Sequence, residues 1–138
     1  FIGDRTPLAD DLKELMREME DGSRNATGLT LNIAVNYGGR QEITAAARRL
    51  ARQAADGKLD PAAIDEKALA AQMDTAGQPD PDLIIRPSGE QRISNFLLWQ
   101  SAYAEYWFSD MLWPDFGPKD LERAIEEFER RSRRYGGL

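Results

Sequence analysis

Asp82-Leu83-Ile84-Ile85-Arg86-Pro87-Ser88-Gly89-Glu90-Gln91-Arg92-Ile93-Ser94 is the segment that decides how this chain is read. Leu83, Ile84 and Ile85 form a short continuous apolar run, which suits a strand covered on both faces in a parallel sheet. Arg86-Pro87-Ser88-Gly89 then leaves its carboxyl end, where ligands bind in open α/β sheets. Arg86 and Arg92 offer planar forks that match phosphate oxygens two bonds at a time. Ser94 adds a hydroxyl, and Gly89 lets backbone amides approach closely. A phosphate-bearing ligand is predicted. The competing reading is a solvated loop whose arginines pair with Glu90, Asp80 or Asp82.

Composition narrows the chemistry. A chain of 138 residues makes one domain or part of a larger one, and its 41% apolar content supports a core. With 18 basic against 24 acidic residues the net charge is −6, which argues against a general nucleic-acid surface. An anion site must then be a local cluster of arginines. No cysteine is present, so there is no disulfide framework and no thiolate chemistry, as in a reducing cytoplasm. Histidine is absent too, which removes the commonest general base and metal ligand. A metal would have to be a hard cation held by carboxylates, which points to magnesium. Apolar runs are far shorter than the roughly 20 residues that span a bilayer, so a membrane-derived substrate would be met from the aqueous side.

Along the chain, Phe1-Ile2-Gly3-Asp4 reads as the last turn of a strand. Thr6-Pro7 reads as an N-cap with proline at the first helical position, opening an amphipathic helix to Asp21-Gly22. Leu8, Leu12, Leu15, Met16 and Met19 are its expected core face. Leu29, Leu31, Ile33 and Val35 alternate with polar or small residues, predicting a strand. Asn36-Tyr37-Gly38-Gly39-Arg40 leads from it into a helix carrying Ile43, Ala46, Ala47, Leu50 and Ala54. Strand, glycine turn and helix N-terminus suit an anion, although a Gly-Gly turn taken alone is better explained as a plain tight connection. Asp60-Pro61 and Asp65 cap short helical turns. Tyr106-Trp107-Phe108 reads as a further strand. Gly117-Pro118 starts a last helix with Leu121, Ala124, Ile125 and Phe128 inward, and Glu126–Arg130, Glu127–Arg131 and Glu129–Arg133 are spaced for surface pairs. Glu105, in an apolar neighbourhood, must be paired or bound to a cation: a metal ligand, or the partner of an arginine in the adjoining loop. Alternating strands and helices predict a layered α/β domain with a mostly parallel sheet flanked by helices.

Arg86-Pro87-Ser88-Gly89-Glu90-Gln91-Arg92-Ile93-Ser94-Asn95-Phe96-Leu97-Leu98-Trp99-Gln100, followed by Ala102-Tyr103-Ala104-Glu105-Tyr106-Trp107-Phe108 and Leu112-Trp113-Pro114-Asp115-Phe116, resembles the signature of cis-prenyltransferases such as undecaprenyl diphosphate synthases. Asn36 to Arg40 and Arg134-Tyr135-Gly136-Gly137 fit the same family in order and spacing. The resemblance implies that residues 1–138 are the C-terminal portion of a single cis-prenyltransferase domain, incomplete at its N-terminus. The family's N-terminal aspartate and Gly-Asn-Gly-Arg motif are not in this sequence, so the segment alone is expected to be inactive.

By the same resemblance, Arg86, Arg92 and Ser94 would bind isopentenyl diphosphate, with Glu90 in support, and Glu105 would be the magnesium ligand. Arg86, Arg92 and Glu105 are thus the expected catalytic group. Arg134 and Gly136 would reach across a homodimer to the partner's diphosphate site. Asn36 and Arg40 would shape the pocket floor and order neighbouring loops. Gln91 stands where some members carry histidine, which leaves that position without an acid/base role. The implied reaction adds isopentenyl diphosphate to an allylic diphosphate such as farnesyl diphosphate, giving a long-chain product such as undecaprenyl diphosphate, the lipid-carrier precursor of cell-wall synthesis. The implied location is cytoplasmic, peripheral to the inner face of the membrane, with no nucleic-acid partner. Two alternatives within the family are a non-catalytic subunit of a two-component enzyme and a synthase of branched or cyclic terpenoid diphosphates. A nucleotide-binding domain is a third reading, though no Gly-x-Gly-x-x-Gly or Walker-type loop is present.

Overall fold

Residues 1–131 are described by the computed structural model, and they make a mixed α/β chain in which helices come first, two strands follow and a helix ends the series, so strict alternation of strand and helix is not what forms. Two units divide the chain, Phe1–Gln78 and Pro79–Leu138.

In the first unit, the opening helix departs from the sequence reading at its start. Helix α1 spans Asp10–Ser23, with Ala9 at its N-cap and no side-chain cap. Thr6 does not cap it, because Asp4 Oδ1 accepts the Thr6 amide at 2.9 Å and the Leu8 amide bonds back to Arg5 O at 3.1 Å. A local Asx turn competes with helix here and wins. Of the apolar face only Met16 is buried, while Leu12, Leu15 and Met19 are exposed. Helix α2, Gly39–Ala55, comes directly after Gly38, with Ala46 and Leu50 buried, Ile43 and Ala54 half-buried and Ala47 exposed. Asp60 and Asp65 act as the predicted caps, accepting the amides of Ala62 and Ala68 at 2.9 and 2.8 Å. They open a 3₁₀ turn at Pro61–Ala63 and helix α3 at Glu66–Ala70.

The strand expected over Leu29 to Val35 is not formed. Its only ladder contact among the described residues is a parallel bridge between Ala34 and Ile2, with Ile2 N to Ile33 O at 3.0 Å and Val35 N to Ile2 O at 2.9 Å. Alternation predicts a strand only where neighbours take up the backbone groups, and residues 29–32 have none. Leu29 and Leu31 are exposed as a result.

The second unit holds β1, Leu83–Arg86, and β2, Glu105–Phe108, paired in parallel. Their register sets Leu83 opposite Glu105, Ile84 opposite Tyr106, Ile85 opposite Trp107 and Arg86 opposite Phe108. All four residues of β1 are half-buried rather than fully covered. A 3₁₀ turn at Trp113–Asp115 and helix α4 at Pro118–Glu129 complete the unit. Asp120 Oδ2 accepts the Gly117 amide at 3.0 Å and so fixes the start of α4. Trp107 and Ala124 are buried, and Phe116 meets the Trp107 ring edge-on at 6.3 Å. Leu121 and Ile125, expected inside, are exposed.

Glu20 ties the start of the chain to α1. Arg5 donates to it from Nη1 at 3.0 Å, and this bond holds the Glu20 carboxyl below its ordinary value. Because the folded pKa is depressed, this contribution to stability is present above the unfolded value and is lost as pH falls through the folded one. Solvent screens the pair, since both side chains are about one-third exposed. Arg5→Gln should move the Glu20 carboxyl back toward the ordinary glutamate range, as read by carbon-13 NMR titration. Gly3 has φ of 109°, and a Cβ there would meet Val35 O at 2.2 Å. Gly3→Ala should lower stability by about 2 kcal/mol or more, read as a shift of the urea midpoint at constant slope.

Candidate functional site

The carboxyl ends of β1 and β2 carry the loop that the sequence singled out. Ser109 N bonds to Arg86 O at 3.1 Å, Gly89 N to Ser109 O at 2.8 Å and Ser88 N to Met111 O at 2.6 Å. The chain leaving β1 is thereby tied to the chain leaving β2. Along this loop the backbone is held in unusual conformations: Ser88, Ser94, Asn95 and Leu97 all have positive φ, between 45° and 80°. Residues with side chains avoid this region, and such strain gathers at ligand sites.

Within this loop four expected residues converge. Arg86 Nη1 donates to Ser94 Oγ at 3.0 Å and also to the Arg92 carbonyl. Glu90 lies between the guanidiniums, 3.8 Å from Arg86 Nη2 and in direct contact with Arg92 Nη2. The ion-pair reading is thus met at Glu90, which lies against the Arg92 fork and 3.8 Å from that of Arg86. Gln91 is exposed.

Arg86, Arg92 and Ser94 form the polar side of a cavity of about 250 Å³. Its other walls include Ile84, Ile93, Phe96, Tyr106 and Phe108. Ile84 and Arg86 share a face of β1 and their register partners Tyr106 and Phe108 share it on β2, while Ile85 between them also lines the cavity. Tyr106 and Phe108 stack at 5.9 Å and 11°. A cationic end joined to an apolar pocket suits a ligand with an anionic head and a short hydrocarbon body. These wall residues were not singled out from sequence. The parity of β2, already read as a strand, was the signal that would have found Tyr106 and Phe108.

Glu105 is not brought to this cluster. It lies opposite Leu83 at the amino end of the strand pair, three residues or about 10 Å along β2 from Phe108, and alternation turns it to the face opposite Tyr106. Its partner is an arginine, though not one of the adjoining loop. Arg131, just past α4, donates from Nη1 to Glu105 Oε2 at 3.0 Å and to Tyr106 O at 2.8 Å. The expected Glu127–Arg131 pair is replaced by this one, because a half-buried carboxylate gains more from a fork than an exposed one does. Glu126–Arg130 forms at 3.5 Å. Glu129–Arg133, Arg134 and Gly136 lie outside the described residues.

Among the described residues no group of three or more acidic, histidine or cysteine side chains could hold a metal ion unaided. Glu105 nevertheless suits one position on a hard cation, being a half-buried carboxylate that already holds a positive group. Magnesium is typically bound by one or two carboxylates, with water and phosphate oxygens filling the rest.

The first unit has a second cleft, of about 640 Å³ and mixed charge, lined by Arg40 and Arg48 as well as Asp4, Glu42 and Asp74. Buried Glu42 accepts the Tyr37 hydroxyl at 2.6 Å and the Asp74 amide at 2.7 Å. Asn36, at φ 49°, donates to Asp4 O at 2.9 Å, so it orders the neighbouring turn.

A family model described as "Putative undecaprenyl diphosphate synthase" matches residues 1–136. The chain belongs to this family of cis-prenyltransferases. It is 55% identical over 138 residues to an isoprenyl transferase of Brucella suis and 55% identical over 138 residues to isoprenyl transferase 2 of Bradyrhizobium diazoefficiens. All of this chain is covered in both comparisons, but only 54% and 55% of those proteins, so it spans about half the length of these curated relatives. Among solved structures it is similar to lavandulyl diphosphate synthase from Lavandula x intermedia in complex with dimethylallyl diphosphate, at TM-score 0.95 and 40% identity. That match covers 98% of this chain and 58% of the other. A probable undecaprenyl diphosphate synthase from Campylobacter jejuni matches at TM-score 0.84 and 36% identity, over 98% of this chain and 61% of that one.

Ser94→Ala, which removes the hydroxyl that accepts from Arg86, should lower stability by no more than about 1 kcal/mol. The urea midpoint at constant slope checks the size of the loss.

Proposed function

We propose that the full-length protein condenses isopentenyl diphosphate with an allylic diphosphate in cis, with residues 1–138 forming the C-terminal portion of its single domain. The observation that carries this reading is the meeting of Arg86, Arg92 and Ser94 at one end of an otherwise apolar cavity. Two forks and a hydroxyl hold the diphosphate head of the donor, and Ile84, Ile93 and Phe96 hold its five-carbon body. Glu90 keeps both guanidiniums aimed until the diphosphate replaces it. Electrons of the donor double bond form the new carbon–carbon bond as the allylic carbon–oxygen bond breaks, diphosphate leaves and a proton is lost. Apolar walls exclude water from the electron-poor carbon while this happens.

Glu105 would hold one position on a magnesium ion, shared with the family's N-terminal aspartate. When bound, that ion would supply charge neutralisation to the departing diphosphate. Arg134 and Gly136 are assigned to the diphosphate site of a homodimer partner. Among the described residues no helix is long and apolar enough to cross a membrane. The location proposed is cytoplasmic, with peripheral membrane contact for product release. The product proposed is a long-chain polyprenyl diphosphate of the undecaprenyl type.

A second reading has a specific observation behind it: the lavender structure at TM-score 0.95 is of a lavandulyl diphosphate synthase. By that reading the product would be a branched terpenoid diphosphate. Product analysis with full-length protein, magnesium, labelled isopentenyl diphosphate and farnesyl diphosphate, beside a reaction with dimethylallyl diphosphate alone, separates the two. Long cis products from the first mixture are expected, whereas a ten-carbon branched product from the second would favour the alternative. In the same assay Arg86→Ala and Arg92→Ala should each lower kcat/KM for isopentenyl diphosphate by about a hundredfold, mostly through KM. Losses under about threefold in both would overturn the site.

A further inference from the structure

Arg131 occupies an unusual place. It lies just beyond α4, yet its fork reaches back to β2, binding Glu105 Oε2 at 3.0 Å and the Tyr106 carbonyl at 2.8 Å. Two acceptors on consecutive residues of one strand fix the guanidinium against the edge of β2. The side chains are 36% and 30% exposed, so water screens the pair only in part. Arg130, its neighbour, makes the ordinary surface pair with Glu126 instead. Dipole considerations explain basic residues at a helix end but not this cross-element contact.

We infer that Arg131 is an intrinsic competitor for the cation position at Glu105: its guanidinium holds the carboxylate until a divalent ion displaces it. This rests on the assignment of Glu105 to magnesium above. A guanidinium and a divalent cation on one carboxylate repel each other, so the occupancy of one lowers the affinity of the other. The coupling is reciprocal. Cation binding at Glu105 therefore loosens the tie between β2 and the end of α4. In this arrangement Arg131 is a positioning residue. It sets the cation concentration at which the site fills and touches no reacting atom.

The test is direct binding of manganese to the full-length protein saturated with a non-reactive farnesyl diphosphate analogue, monitored by the electron paramagnetic resonance signal of the free ion and compared with the analogue alone. Arg131→Gln should lower the manganese concentration for half-saturation about two- to tenfold, and Arg131→Lys should lie between it and wild type. The gain should vanish when Glu105→Gln is added. In wild type the NMR signal of the Arg131 Nε–H group should shift on saturation with magnesium, and in Glu105→Gln it should not respond. Damage to the fold would weaken binding, so the sign of the change separates competition from a merely structural role. If Arg131→Gln and Arg131→Lys both leave affinity unchanged or weaker while Glu105→Gln weakens it, the competition is overturned and the metal assignment stands. If Glu105→Gln has no effect on manganese binding, both fall.

Discussion

Everything proposed for the second unit depends on the parallel pairing of Leu83–Arg86 with Glu105–Phe108. This register puts Arg86 beside Phe108 and Ile84 beside Tyr106, so one face of two short strands becomes an apolar floor with a cation at its edge. A slip of one residue would exchange Tyr106 and Phe108 for Glu105 and Trp107 and place a carboxylate in the cavity. The loop bonds from Ser88 and Gly89 to Met111 and Ser109 lock the same register just past the strands. Burial of Trp107 on the opposite face anchors it further.

Several local features could be read from the chain because each has a cause within a few residues. Aspartates at 60 and 65 cap the helical turns they precede, Gly117-Pro118 starts α4, and an apolar triplet before Arg86 is a parallel strand. Features with distant causes could not be read. Residues 29 to 35 have strand periodicity, yet pairing needs a neighbour that periodicity does not reveal. Leu121 and Ile125 have helical core spacing, but burial depends on what lies against the helix.

The site divides the same way. Arg86, Glu90, Arg92 and Ser94 lie within nine residues, so a turn of loop brings them together and sequence proximity was a sound guide. Glu105 comes about twenty residues after β1, and only the parallel register decides which end and which face it occupies. Arg131 had no signal in the sequence at all. Its spacing from Glu127 suggested a routine helical pair, and the preference for a half-buried carboxylate on β2 emerges only from the folded geometry.

Glu90 also limits the reach of the arginine cluster. Two guanidiniums less one carboxylate leave it with a single net positive charge, on a chain of net charge −6. So small a local excess casts little field beyond a Debye length of about 8 Å in physiological salt. Capture of an anion here is governed by fit at contact and hardly at all by long-range steering, and its rate should be insensitive to ionic strength.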